Sequence, residues 1–135
     1  MMVALSSCKN KNEDIVLLGI WESGICSSSD IGDYTFKFNF LDHGLFELYI
    51  IPVNDDGAFV TWGEYELLGK DIIKTQAKYI GGVVEGDVVE KDEFNANEEG
   101  ESGINLLEFK LENENEMVIS FPTGEPVVFK KASRT

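Results

Sequence analysis

Arginine and histidine are nearly missing from this chain: Arg134 is its one arginine and His43 its one histidine. A lone histidine in the turn Leu41-Asp42-His43-Gly44, with no serine or cysteine nucleophile pattern around it, offers no triad and reads as a solvated turn residue. Cations of any kind are few, with 11 Lys and Arg against 25 Asp and Glu, for a formal net charge of −14. Such a surface repels phosphate backbones, so nucleic acid is not expected as a partner. It also opposes adsorption to anionic lipid. No apolar run is long enough to span a bilayer as a helix. The two cysteines, Cys8 and Cys26, allow at most one disulfide, and neither has neighbours at zinc-ligand spacing. Close carboxylate pairs are inevitable among so many acids and carry no information. The chain therefore reads as a non-enzyme with no cofactor and no metal.

What is abundant is aromatic side chains at alternate positions. In Tyr34-Thr35-Phe36-Lys37-Phe38-Asn39-Phe40, four aromatics alternate with three polar residues, the pattern of a strand with one buried face. The turn Leu41 to Gly44 leads to a return strand, Leu45 to Ile51, ended by Pro52. Asn54-Asp55-Asp56-Gly57 turns into Phe59 to Leu68, where Gly63 marks a bulge or a close approach. Gly69-Lys70 signals a hairpin into Asp71 to Ile80. Gly81-Gly82 is expected to break that strand, with a weaker, acid-interrupted one over Val83 to Val89. Glu90 to Gly103 carries no periodicity and reads as a mobile loop. Strands resume at Leu106 to Leu111, Met117 to Phe121 and Pro126 to Lys131, the last after Pro122-Thr123-Gly124-Glu125.

With no helical period anywhere, 135 residues make one all-β domain, an antiparallel up-and-down β-barrel of about eight or nine strands. Residues 1–14 read as a leader remnant and tether, 15–131 as the barrel and 132–135 as a tail. The expected inward set comprises Phe36, Phe38, Phe40, Phe46, Leu48, Tyr65, Leu67, Ile73, Leu107, Phe109, Leu111, Ile119, Phe121 and Phe129. A barrel of about eight strands is either filled by side chains or holds one small ligand. Both outcomes stay open on the sequence. If a site exists, Tyr34, Phe36, Phe38, Phe40, Phe46, Tyr65, Phe109 and Phe121 line it. The lack of a strand arginine disfavours a carboxylate ligand and leaves a neutral apolar or aromatic guest.

Two minor signals are weighed against bland readings. Asn95, Asn97, Glu99 and Gly100 resemble part of a calcium loop, but the first position lacks Asp and the twelfth would be Leu106, so a solvated acidic loop is expected. Trp62 falls on the face opposite Tyr65 and is expected at the surface, as a lone aromatic or a contact point.

Two motifs near the start carry resemblances. Leu5-Ser6-Ser7-Cys8, followed by the polar Lys9 to Asp14, resembles a bacterial lipobox and its tether. That likeness implies a lipid on Cys8, membrane attachment through it, an outer-membrane lipoprotein of the cell envelope, and a free thiol on Cys26 in the loop 26–29. Gly19-Ile20-Trp21, Tyr34-Thr-Phe-x-Phe, Asp42-His-Gly44, Gly63-Glu-Tyr65 and Gly124-Glu-Pro-Val-Val-Phe-Lys-Lys131 together resemble the bacterial lipocalin-like lipoproteins. The likeness implies a monomeric binding module in which Trp21 plugs the closed barrel end under a basic residue of the last strand. With Arg134 in the tail, that role falls to Lys130 or Lys131, with Lys130 the first choice. The alternative is a structural or protein-interaction lipoprotein with a solid barrel.

Overall fold

The structure is a computed structural model that describes residues 17–94, 103–122 and 125–132. It is an all-β fold of ten strands: β1 (Gly19–Ser23), β2 (Cys26–Ser28), β3 (Gly32–Leu41), β4 (Leu45–Pro52), β5 (Gly57–Leu68), β6 (Ile72–Val84), β7 (Asp87–Glu93), β8 (Ile104–Asn113), β9 (Glu116–Ser120) and β10 (Val127–Lys131). Eight of them close an antiparallel barrel in the order β1-β10-β9-β8-β6-β5-β4-β3, with β3 pairing back to β1. The two others prolong its wall. β2 continues the line of β1 along β3, and β7 continues the line of β8 along β6. Closure removes the sheet edges that an open meander would expose.

The alternation read from the sequence sets the inner face. Phe38 and Phe40 on β3 face inward with Phe46 on β4, Tyr65 on β5, Ile73 on β6, Leu107 and Phe109 on β8, Met117 and Ile119 on β9 and Phe129 on β10. Turn chemistry follows the backbone. The Asp55 carboxylate accepts hydrogen bonds from the Asp56 and Gly57 amides, an Asx turn between β4 and β5. Asp42–Gly44 forms a single 3-10 turn in which His43 (φ 68°) and Gly44 (φ 72°) are left-handed.

Four expectations are corrected. Gly81-Gly82 does not end a strand, because β6 runs on to Val84. Gly81 is needed for a different reason: a Cβ there would fall on the Glu90 carbonyl of β7, so β7 could not pair there. Val83 to Val89 is not one strand but the tip of a hairpin, with Glu85 (φ 54°) and Gly86 (φ 85°) making the turn. The segment from Glu90 to Glu93, expected to be loop, is the second half of β7. Its outward and inward charges hid the strand, since every residue of β7 is exposed and no apolar face marks it. Cys26 likewise sits in the short strand β2 rather than in a loop. The calcium-like segment 95–100 lies outside the described residues, as do Cys8 and its tether.

Candidate functional site

One end of the barrel is solid. Trp21 is fully buried there, its indole N–H donating to the Leu17 carbonyl at 3.0 Å. Gly19 opens the same strand at φ 120°, and the Lys131 stem crosses so close that a Cβ at Gly19 would lie 3.0 Å from Cε. The Lys131 ammonium then reaches over the indole, 5.3 Å from its centroid. Gly19, Trp21 and Lys131 form one unit, which explains why a residue without a side chain precedes the tryptophan by two.

Lys130 does not take this role. Phe129 faces the core, and period two puts Lys131 on its face and Lys130 outside, where Lys130 is exposed. Above the plug the rings interlock: Phe38 and Phe40 stack at 4.4 Å, and Phe40 meets Tyr65 edge-on at 4.8 Å. Pairs of this kind contribute about 0.5–1.5 kcal/mol each beyond their buried area.

The other end is hollow. A cavity of about 930 Å³ opens above Phe38 and Phe46. That is within the roughly 300–1,000 Å³ of small-molecule sites. Tyr34, Phe36, Leu48 and Ile50 supply one apolar wall, and Leu107, Phe121 and Val127 the facing one. Phe36 and Phe121 stack at 5.1 Å across the interior, tying β3 to the end of β9. Thr61, Thr75 and Asn105 add polar groups, and Ser27 and Glu125 stand at the rim. Thr75 is the one buried polar residue among those described, and no described buried side-chain polar atom lacks a partner.

Of the eight aromatics proposed as a lining, the fold brings Tyr34, Phe36, Phe38, Phe46 and Phe121 to the cavity. Phe40, Tyr65 and Phe109 belong instead to the solid core below. Leu111, expected inside, is substantially exposed at the closed end. Strand alternation could not separate these groups, because it gives the face of a residue and not its height along the barrel. Missed altogether were the rim residues Ser27, Glu125 and Pro126, which lie in or beside turns with no period to follow.

The wall above the cavity is uneven. β5 and β6 are 12 and 13 residues long, while β9 and β10 have 5 each. Among the described residues, β2 pairs only with β3 and β7 only with β6. The cavity therefore opens on the low β9–β10 side, between two free strand edges. At the break between β1 and β2, the Ser23 hydroxyl accepts the Phe36 amide hydrogen at 2.8 Å and keeps β3 satisfied where pairing lapses.

Outside the barrel, Trp62 does not stand free. The Lys91 ammonium lies 4.8 Å from its ring centroid and 4.9 Å from that of Tyr79. A groove beside them, bordered by Leu45, Glu47, Glu64 and Phe94, encloses about 760 Å³. His43 is exposed in its turn, and among the described residues no group of three or more His, Cys, Asp or Glu side chains could hold a metal ion. No family model matches this chain, and no curated protein is similar to it.

Proposed function

We propose that this protein is a binding module that holds one small apolar or aromatic molecule in the upper half of its barrel. The observation that carries the reading is the cavity of about 930 Å³ above a solid aromatic floor. A barrel kept only for structure gains from filling that space, since every unfilled cavity costs dispersion contacts and transfer energy. Here Tyr34, Phe36 and Phe121 line the space without filling it, and Thr61, Thr75 and Ala77 beside them are too small to close the interior. The lining is what a neutral guest needs: a large apolar surface with a few polar groups to orient it.

The same proposal places the module in a bacterial cell envelope, as a lipocalin-like lipoprotein held to the outer membrane by a lipid on Cys8. The lipobox-like Leu5-Ser6-Ser7-Cys8 and the polar tether behind it support that address. The Gly19-x-Trp21 unit capped by Lys131 supports the lipocalin-like reading. Native mass spectrometry of the protein taken from its own envelope tests the function. A copurifying small molecule is expected; bare protein, or a complex with another protein and nothing inside the barrel, would overturn the reading. For the address, Cys8→Ala should release the protein from the membrane fraction, and retention of the variant there would defeat it.

A further inference from the structure

The charges of this barrel are sorted by end. At the open end, the described turns and the strand residues beside them carry Asp30, Asp33, Asp55, Asp56, Glu85 and Asp87, and no described lysine or arginine. Glu125, between β9 and β10, is the one charged residue among the described residues lining the cavity. Among the described residues, the cations lie elsewhere. Lys131 caps Trp21 at the closed end, and His43 and Lys70 sit in closed-end turns. Lys37 and Lys91 lie over outer-face rings, and Lys74 pairs with Glu66 outside. No described lysine or histidine lines the cavity.

From this geometry we infer that the guest is an organic cation, an amine or quaternary ammonium group on an apolar or aromatic body, with its charge held at the acidic rim. The inference rests on the ligand-binding reading above and names its ligand class. Two independent features agree. Charges of one sign around a low-dielectric opening focus the field and raise the local concentration of the opposite charge. The cavity wall itself includes the rings of Tyr34, Phe36 and Phe121, and an aromatic ring attracts a cation to its face, not its edge, without a buried counter-ion. An anionic guest would meet repulsion at the rim and no cation inside. A neutral guest would gain the walls and nothing from the rim.

The test uses the full-length protein and three fluorescent probes with one apolar body: pyrenebutylamine, pyrenebutanol and pyrenebutyrate. The amine should bind about tenfold tighter than the alcohol, and the carboxylate weakest. Added salt should erode the preference for the amine and leave the alcohol unchanged. Glu125→Gln should lower amine affinity about threefold with the alcohol unaffected. Glu114→Gln, which removes the same charge from an exposed turn at the closed end, should change neither. Equal affinity for amine and alcohol, or tightest binding of the carboxylate, overturns the cation inference and leaves the ligand-binding reading intact. Equal effects of the two substitutions also overturn it, since net charge rather than the rim would then be responsible. Binding of none of the three overturns the ligand-binding reading and this inference with it.

Discussion

Trp21 and Lys131 are register partners on adjacent strands, and the lysine folds back to put its ammonium 5.3 Å from the centre of the indole. The pair joins the first barrel strand to the last, so it seals the ring of strands as well as the barrel end. Trp21→Ala should cost about 3–5 kcal/mol in chemical denaturation, the range of buried aromatic truncations. Lys131→Met keeps most of the stem over Gly19 and loses the cation, for a cost of about 0.5–2 kcal/mol. Lys130→Met, on the outer face, should stay within about 0.5 kcal/mol of the parent. A larger effect at position 130 than at 131 would mean that the plug has been assigned to the wrong lysine.

Gly63 lies where β5 and β6 lose register, and Phe46 packs against it from β4. A Cβ there would fall on the Gln76 carbonyl and come within 2.9 Å of the Phe46 ring. The clash is with backbone, which cannot rotate away as a flexible side chain would. Gly63→Ala should therefore destabilise by about 1–3 kcal/mol or more, the cost of overpacking. Gly69→Ala, in the open turn between β5 and β6, has space for the methyl group and only its left-handed φ of 73° to contend with. It should cost less, about 1–2 kcal/mol. Thermal melts of the two variants check the order.

The strands that were legible are those with one wet and one dry face. Phe36, Phe38 and Phe40 announced β3 because alternate polar residues stood between them. β7 was illegible for the converse reason: Asp87-Val88-Val89-Glu90-Lys91-Asp92-Glu93 is exposed on both faces, and among the described residues its only partner is the far half of β6. The choice of Lys131 over Lys130 was available from the sequence, since Phe129 and Lys131 share a parity and Phe129 had already been placed inside. The floor of the cavity was not available. It depends on how far each strand has risen when its aromatics end, and that is set by pairings such as Phe38 with Leu48 and Thr61 with Ile80, which no single strand encodes.

Thr61 faces the cavity between Leu48 on β4 and Ile80 on β6. Replacing it with phenylalanine would extend the aromatic floor upward into open space without touching the core below. Thr61→Phe should lower the affinity for pyrenebutanol by about tenfold or more, while stability holds or rises as apolar surface is covered. Fluorescence titration and a thermal melt on the same sample read both quantities. Undiminished binding by a stable variant would show that the probe sits elsewhere, with the outer groove at Trp62 the next place to look.

Tyr49, on the outer face of β4, donates its phenolic hydrogen to the Glu47 carboxylate at 3.1 Å, and Asn39 donates to the same oxygen. Burial, the nearby Glu47 charge and that hydrogen bond, in this order, raise the phenol above its ordinary value of 10.0. The unfolded chain therefore loses this proton first as pH rises. The stability Tyr49 contributes is complete below about pH 10 and falls away through its folded-state pKa. Glu47→Gln removes the charge and leaves the burial, so the phenol should move down part of the way and not fully. Phenolate absorbance, taken as the difference between the parent and Tyr49→Phe, measures the shift in each background. A Tyr49 that ionises at or below the ordinary value in the parent protein would show that the 3.1 Å contact with Glu47 does not persist in solution.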